Sequence, residues 1–278
     1  MTQPETSRTT PQNTYTHGHH ESVLRSHRSR TVENSAAYLL PRLSAGQSVL
    51  DVGCGPATIT VGLAERVAPG TVTAVEITAD VLKLAQEEVA ARGTANIRFA
   101  VTDVHSLDFP DDSFDVVHAH QVLQHVADPV LALKEMRRVC KPGGLVAVRD
   151  GDYGGFRWFP EEPGLDTWLA AYQSLAISNG GRPDAGRRLR SWALAAGFPA
   201  ENITATASSW VFADDAERAW WADLWADRTT KSSTAEQYVA KGIATEPELQ
   251  AIAEAWHAWS RHPDAIFIVG HGELVCVA

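Results

Sequence analysis

Short apolar runs alternate with longer amphipathic stretches through the middle of this chain. The runs predict strands, at about residues 48–52, 71–75, 97–101, 114–119 and 145–149. Between several of them the apolar residues recur with helical spacing, at about residues 58–67, 78–92 and 129–139. Strands that alternate with helices in this way predict an α/β protein with a parallel sheet.

The flanking regions continue this pattern less regularly. They predict, in order, a helix at about 33–43, helices at 164–178 and 185–196, a strand at 203–212 and a helical insertion at 214–261. The last apolar stretch, residues 265–277, predicts a single strand that is interrupted or bulged at Gly270 and Gly272.

A glycine-rich turn follows the first predicted strand. Gly53 and Gly55 end the apolar run, and a helix is predicted to begin at Thr58. A helix N-terminus presents backbone N–H groups and a positive dipole end, and glycine lets a ligand approach closely. Asp51, just before the turn, adds negative charge that a phosphate-binding loop avoids. The turn favours a nucleoside with an ammonium or sulfonium group, with an ordinary α/β turn as the alternative.

Two common nucleotide-binding motifs fit this turn poorly. The dinucleotide fingerprint requires a small residue where this chain has Thr58. No Lys-Ser or Lys-Thr pair follows the turn, so the Walker A motif is absent. A nicotinamide-dependent oxidoreductase is therefore disfavoured, and no Tyr-x-x-x-Lys set supports it, but it stays open as an alternative.

Acidic residues end three consecutive predicted strands, at Asp51, Glu76 and Asp103. Ligands of open parallel sheets bind at the edge formed by the carboxyl ends of the strands. A carboxylate after the second strand suits the two hydroxyls of a ribose, and one after the third suits the amine of adenine. Taken singly, Glu76 could instead serve the helix dipole and Asp103 could be a loop carboxylate. All three together favour a nucleoside site.

Composition narrows the class of protein. The chain has 278 residues, 44% of them hydrophobic and 21% charged, which is typical of a soluble globular protein. Its net charge of −10 argues against nucleic acid or an anionic membrane as a partner. No signal peptide or membrane-spanning run is recognisable, so we expect a cytoplasmic protein. The scattered cysteines predict neither a disulfide framework nor a metal site: Cys54, Cys140 and Cys276.

The N-terminal region is basic in an acidic protein. We expect a disordered tail over residues 1–14 and lid helices over residues 15–46, in which Tyr15 and Arg30 contact the ligand. A solvated basic tail is the alternative. A metal site is disfavoured, because the neighbouring histidines lack a carboxylate or cysteine complement: His17, His19 and His20.

Five ordered motifs carry a family resemblance: Val-Leu-Asp-Val-Gly-Cys-Gly-Pro, Val-Glu-Ile, Val-Thr-Asp-Val, Phe-Asp-Val-Val and Lys-Pro-Gly-Gly. Over about residues 30–150 the chain resembles class I S-adenosylmethionine-dependent methyltransferases, most of all the ubiquinone/menaquinone-biosynthesis group. The resemblance implies a doubly wound, seven-stranded, mostly parallel α/β sheet of the Rossmann-like type with a reversed final strand. It also implies that residues 47–152 form the cofactor-binding core and residues 153–278 complete the sheet and cap the acceptor.

The resemblance also implies a site for S-adenosylmethionine. Its methionine part would lie at Asp51, Gly53 and Gly55, its ribose at Glu76 and its adenine near Asp103. The remaining implied cofactor contacts flank these positions: Cys54, Ile77, Thr102, Val104, His120 and Gln121.

The expected reaction is an in-line methyl transfer to a small, largely apolar metabolite, at oxygen, nitrogen or carbon. His120 and His125 are candidate bases because imidazole titrates near neutral pH, although each could simply hold its loop. Aromatic residues of the C-terminal half predict an apolar acceptor pocket: Tyr153, Phe156, Trp158 and Trp221. A protein that binds the cofactor without transfer stays open, as does a homodimer or larger homo-oligomer.

Overall fold

The computed structural model describes residues 21–278, so the expectations for Tyr15, the tail at residues 1–14 and the histidines at 17, 19 and 20 lie outside the described residues. Within the described range the chain forms eight strands: β1 (Val49–Val52), β2 (Val72–Glu76), β3 (Ile97–Val101), β4 (Phe114–His120), β5 (Cys140–Gly151), β6 (Arg157–Phe159), β7 (Ile203–Phe212) and β8 (Ile266–Val277).

Helices connect these strands. In chain order the described helices are α1 (Glu21–Arg28), α2 (Val32–Ser35), α3 (Thr58–Val67), α4 (Ala79–Arg92), α5 (Pro129–Val139), α6 (Pro163–Ser178), α7 (Ala185–Ala195), α8 (Asp215–Lys231), α9 (Ser233–Ala240) and α10 (Glu246–Ser260). The last three form a helical insertion between β7 and β8.

A single sheet organises the molecule, with strand order β3-β2-β1-β4-β5-β8-β6 and with β7 paired to β8. Strands β1 to β5 are parallel, whereas β8 is antiparallel to β5, β6 and β7. The predicted doubly wound, mostly parallel α/β class is confirmed, including the reversed final strand. The eighth strand is the short β6, which pairs with the first residues of β8 beyond the end of β5.

Alternate residues of the strands bury opposite faces of the sheet. On one face, Leu50 and Val117 pack in the same cluster as Leu133 of α5. On the other face, Val49 and Val116 pack with Leu63 of α3. Because both faces are covered by helices, these strands carry the near-continuous apolar runs seen in the sequence.

Two glycine-containing segments differ from their sequence-based interpretation. The Lys-Pro-Gly-Gly segment, which precedes the strand predicted at 145–149, belongs to β5, and the register with β4 shifts there between Phe114 and Val116. Strand β8 is continuous, with an unbroken register against β7. Its Gly272 serves a close approach, because a Cβ there would lie 2.0 Å from the carbonyl oxygen of Gly186 in α7.

Most tryptophans of the C-terminal half form a buried aromatic cluster that supports α8. The ring of Trp168 in α6 lies 4.5 Å from that of Trp225 in α8 and 4.8 Å from that of Trp256 in α10. Phe267 of β8 contacts the same cluster. This packing fixes α8 beside the sheet edge where the predicted site residues lie.

Candidate active site

A cavity of about 1020 Å³ opens at the carboxyl ends of β1, β2 and β4, between α1 and α8. All the predicted cofactor residues within the described range line it: Arg30, Asp51, Gly53, Cys54, Gly55, Glu76, Ile77, Thr102, Asp103, Val104, His120 and Gln121. The second candidate base, His125, and three of the predicted acceptor residues also line it: Tyr153, Phe156 and Trp221.

The glycine turn passes close to the loop that follows β4. Gly53 has a left-handed backbone with φ +67°, and a Cβ on it would lie 2.5 Å from Cγ2 of Val122. The N–H groups of Gly53 and Cys54 both donate to the carbonyl oxygen of Val75, at 2.9 and 3.2 Å. Glycine is therefore required at Gly53 by backbone conformation and by space.

Asp51 lies beneath this turn and uses both carboxylate oxygens within the protein. Its Oδ2 accepts a hydrogen bond from the hydroxyl of Thr60 at 2.6 Å, and its Oδ1 lies 2.8 Å from Nδ1 of His118. Asp51 is 3% exposed and His118 is fully buried. The sequence analysis did not single out His118; the signal is its position directly opposite Asp51 in the β1–β4 register. Asp51 thus holds the turn in place as well as lining the cavity.

Glu76 ends β2 and ties the turn to the neighbouring strand. Its Oε1 accepts the N–H of Gly55 at 2.8 Å, and its Oε2 accepts the N–H of Ile77 at 3.3 Å. Burial raises the pKa of this carboxyl, against the lowering effect of the two N–H groups. The side chain of Ile77 is 64% exposed beside the cavity, which offers a base ring an apolar surface. Asp103 accepts the N–H of His105 at 2.9 Å.

His120 ends β4 on the cavity wall. It is 6% exposed, and neither ring nitrogen has a hydrogen-bond partner in the part of the chain that the structure describes. Burial, followed by the charges of Arg30 and Arg149, holds its pKa well below the usual range. The imidazole is therefore neutral at pH 7, where it is a weak base but can accept a hydrogen bond.

The next residue, Gln121, has a positive φ of +53°, which is uncommon for a residue other than glycine. Its N–H donates to the carbonyl oxygen of Arg149 at 2.7 Å, and its Nε2 lies 3.0 Å from Nε2 of His271. The strained backbone and these contacts fix the wall of the cavity next to His120.

His125 stands further from the glycine turn. Its Nε2 lies 2.9 Å from Nε2 of Gln124. Burial, then the charges of Arg30 and Arg228, lowers the pKa of His125 to about 3. The lowered pKa makes His125, like His120, a weak base near pH 7, and its contact with Gln124 engages one of its ring nitrogens.

Aromatic rings form the far wall of the cavity. The ring of Tyr153 stacks 4.4 Å from that of Phe156, and Trp221 stacks 4.3 Å from Phe212 of β7. Trp158 is the predicted acceptor residue that the structure places elsewhere. The β6–β8 register puts it opposite Phe267, and its ring stacks 5.6 Å from that ring, within the buried cluster.

The C-terminal half also adds wall residues that the sequence analysis did not select. These come from β7 and α8: Trp210, Phe212, Trp225 and Arg228. Trp220 lines the cavity together with Trp221, although the sequence analysis selected only Trp221. Helical periodicity could have selected part of this set. Trp225 and Arg228 follow Trp221 by four and seven positions, so they lie on the same face of α8.

The described part of the N-terminal region covers the cavity. Arg25 of α1 forms an ion pair of 2.7 Å with Asp227 of α8. The hydroxyl of Thr58 donates to the carbonyl oxygen of His27 at 3.2 Å, and the indole N–H of Trp210 donates to that of Asn34 at 2.8 Å. Residues 25–34 are thus tied to α3, β7 and α8.

The residues present fit S-adenosylmethionine. The close approach of backbone at Gly53 leaves room that a side chain would fill, and Glu76 places two acceptor oxygens at the end of β2. No group of three or more His, Cys, Asp or Glu side chains within residues 25–278 is placed to hold a metal ion. Over the same residues no helix has the length and apolar character that crossing a membrane requires.

Comparison with known proteins agrees with this geometry. A family model described as a methyltransferase domain matches residues 43–176. The chain is 36% identical to an uncharacterized methyltransferase of Schizosaccharomyces pombe over 275 residues, which cover 97% of this chain and 98% of the yeast protein. It is 43% identical to the demethylmenaquinone methyltransferase of Geobacillus stearothermophilus over 101 residues, 36% of this chain and 43% of that protein.

The fold is also found among solved structures. The phosphoethanolamine N-methyltransferase 2 of Haemonchus contortus, solved with S-adenosylhomocysteine, aligns with a TM-score of 0.54 at 19% identity, over 87% of this chain and 51% of that one. At that identity the likeness concerns the fold. The resemblance seen in the sequence motifs is confirmed by the match along the yeast protein. The chain therefore belongs to the S-adenosylmethionine-dependent methyltransferases.

Proposed function

We propose that this methyltransferase acts on a small, largely apolar metabolite. The observation that carries the proposal is one cavity that runs from the glycine turn and Glu76 to the aromatic wall at Tyr153, Phe156 and Trp221. At about 1020 Å³ it lies at the upper end of the range for small-molecule sites, which supports room for a cofactor and an acceptor together.

The proposed roles follow from position and charge. Glu76 accepts hydrogen bonds from the ribose hydroxyls, the backbone of the glycine turn packs against the methionine part, and Arg30 pairs with its carboxylate. When bound, S-adenosylmethionine supplies a methyl group on a positively charged sulfur. The protein then has to align the acceptor with that methyl and exclude water, which the covering residues 25–34 favour.

His120 is the proposed base, since it lines the cavity and neither of its ring nitrogens has a hydrogen-bond partner among the described residues. His120→Asn keeps a polar group of similar size but cannot take up a proton. If His120 removes a proton from the acceptor, kcat falls by roughly 10²- to 10⁴-fold while the affinity for S-adenosylhomocysteine stays unchanged. His125→Asn is the matched control and leaves kcat within a few-fold. Equal kcat values for the two variants would remove the base role from His120.

The function is tested with methyl-labelled S-adenosylmethionine and a size-fractionated metabolite extract. We expect label to move into low-mass, solvent-extractable products, and Gly53→Val to abolish the transfer. Label in protein or nucleic acid would contradict the proposal. Tight binding of S-adenosylmethionine with no transfer to any fraction would favour the alternative of a non-catalytic binding protein. The alternative of a nicotinamide-dependent oxidoreductase is not supported, because the chain belongs to the methyltransferases.

A further inference from the structure

A side chain of β7, Trp210, contacts both the covering residues 25–34 and the wall of the cavity. Its indole N–H donates to the carbonyl oxygen of Asn34 at 2.8 Å, and the guanidinium carbon of Arg30 lies 5.8 Å from its ring centre. Trp210 and Arg30 both line the cavity. Because an indole combines an aromatic face with one N–H donor, it can set the position of a backbone segment and of a cation at the same time.

Buried groups of the sheet support the ring of Trp210. The guanidinium carbon of Arg149 lies 5.0 Å from the ring centre, and the ring of His271 lies 4.5 Å away in a T-shaped arrangement. Arg149 is 1% exposed, and its Nε donates to Oε1 of Glu273 at 3.2 Å. Since these neighbours are buried and belong to β5 and β8, the sheet fixes the position of the indole.

The covering backbone that Trp210 contacts is a hydrogen-bonded turn. The N–H of Thr31 donates to Oδ1 of Asn34 at 2.8 Å, and Nδ2 of Asn34 donates to the carbonyl oxygen of Ser29 at 3.0 Å. Ser29 and Thr31 flank Arg30 in sequence. A hydrogen bond that holds Asn34 therefore limits where the backbone of Arg30 can lie.

Two ion pairs also join the covering residues to helices, Arg25 with Asp227 at 2.7 Å and Glu33 with Arg66 at 3.8 Å. All four side chains are partly exposed, and exposed ion pairs contribute little to stability. None of these four residues lines the cavity. Trp210 is thus better placed than these pairs to control the position of Arg30.

We propose that Trp210 is a positioning residue for cofactor binding: by holding Asn34, it keeps Arg30 where the carboxylate of S-adenosylmethionine binds. This inference deepens the proposed function and rests on it, because it takes Arg30 as the partner of that carboxylate. A pairing between guanidinium and carboxylate depends strongly on geometry, so a small displacement of Arg30 weakens it. Trp210 has no part in the methyl transfer itself.

Trp210→Phe tests the proposal, since phenylalanine keeps an aromatic ring but lacks the N–H. The loss of one hydrogen bond should weaken the binding of S-adenosylhomocysteine by roughly 3- to 10-fold in a calorimetric titration. The affinity for 5′-methylthioadenosine, which has the same nucleoside but no carboxylate, should stay within about twofold of the parent value. A merely structural effect would lower both affinities alike.

Trp259→Phe is the matched control. The indole N–H of Trp259 also donates to a backbone carbonyl, that of Phe159 at 3.0 Å, but Trp259 lies in the buried aromatic cluster and does not line the cavity. This variant should bind both ligands as the parent protein does. Thermal unfolding of the two variants compares the effects of the lost hydrogen bonds on stability.

Arg30→Met tests whether Trp210 acts through Arg30. This variant alone should weaken the binding of S-adenosylhomocysteine, and the addition of Trp210→Phe should cause little further loss, because coupled residues do not act additively. A further loss as large as that in the parent protein would overturn the proposal.

An unchanged affinity for S-adenosylhomocysteine in Trp210→Phe, or equal losses for the two ligands, would overturn the proposal as well. If Trp210→Phe fails to fold, Trp210→Tyr serves as the second variant with the same expected results, since its hydroxyl lies at a different edge of the ring. Failure of the proposed function gives a different result, because an absence of methyl transfer leaves the ratio of the two affinities measurable. Tight binding by Arg30→Met would instead overturn the role of Arg30 together with this inference.

Discussion

Gly53 and Gly93 share a left-handed backbone, with φ values of +67° and +68°, but differ in their surroundings. A Cβ at Gly53 would meet Val122 at 2.5 Å, whereas nothing lies within 4 Å of one at Gly93, which ends α4. The first glycine satisfies a conformational and a spatial requirement, and the second only a conformational one. A substitution at each separates the two.

Gly53→Ala is expected to weaken the binding of S-adenosylhomocysteine by at least about tenfold, because the turn and Val122 must move apart on the cavity wall. Gly93→Ala is expected to cost about 1 kcal/mol of folding free energy and to leave binding unchanged. Calorimetric titration and thermal unfolding of both variants check this. Unchanged affinity in Gly53→Ala would show that the turn and Val122 move apart without affecting the site.

Asp150 gives a pH-dependent contribution to stability. The carboxyl is fully buried next to β4, where its Oδ1 accepts the N–H of Gln124 at 2.9 Å, and burial raises its pKa to about 8. In the unfolded chain the pKa is near 4, so between pH 4 and 8 the folded state retains a proton that the unfolded state releases. This contribution is complete below pH 4 and is lost as the pH rises to 8.

Asp150→Asn removes this titration and keeps an oxygen that can accept from Gln124. The parent protein is expected to lose stability relative to the variant between pH 5 and pH 9, by up to several kcal/mol. Chemical unfolding of both proteins at each pH measures the difference. A constant difference across this range would show that Asp150 does not titrate as described.

At the scale of the element, apolar periodicity located most helices and strands, because strands buried on both faces and amphipathic helices leave distinct patterns. The predicted bounds of β3, β7, α3 and α5 coincide with those of the structure. The helix predicted at 33–43 is only the short α2 followed by a separate 3-10 turn at Leu40–Arg42, and β6 was not predicted. Other errors arose at glycines. A local pattern cannot distinguish a bulge in β8 from a close approach to α7, because Gly186 is remote from Gly272 in sequence.

Gly270 and Gly272 of β8 provide a matched pair of positions to test the close approach between β8 and α7. Gly272→Ala is expected to cost several kcal/mol, since the Cβ would lie 2.0 Å from the carbonyl oxygen of Gly186 and α7 must shift. At Gly270 the nearest atom would be 3.8 Å away, so Gly270→Ala should cost less than about 1 kcal/mol. Denaturant unfolding of both variants measures their losses of folding free energy. Similar losses would mean that α7 shifts without a cost.

At the scale of the whole molecule, only some of the residues that line the cavity could be predicted from the sequence. The rule that ligands bind at the carboxyl ends of parallel strands was enough to bring Asp51, Glu76 and Asp103 to one cavity. No comparable rule reaches Trp210 of β7 or Arg228 of α8, which meet that cavity through tertiary packing. Trp158 shows the converse, since its aromatic character was recognised but its register against β8 was not.

Residues 25–34 are expected to act as a cover for both ligands. Deleting residues 1–30 removes α1 and the ion pair between Arg25 and Asp227 but leaves every strand of the sheet intact. The shortened chain should fold, and should lose roughly tenfold or more in cofactor affinity and most of its turnover. Thermal unfolding checks that the shortened chain folds, calorimetric titration measures its cofactor affinity, and a methyl-transfer assay measures its turnover. Unchanged affinity and turnover would contradict the covering role.

The match to the methyltransferase family model ends at residue 176, whereas the part of the cavity wall contributed by β7 and α8 lies at residues 209–228. The cofactor site and this part of the acceptor wall are therefore encoded in separate stretches of one chain. If this wall contacts the acceptor as proposed, divergence in α8 would change which acceptor is chosen without disturbing the glycine turn. In a chimera that exchanges residues 209–231 with those of a relative, acceptor choice is expected to travel with the transplanted segment.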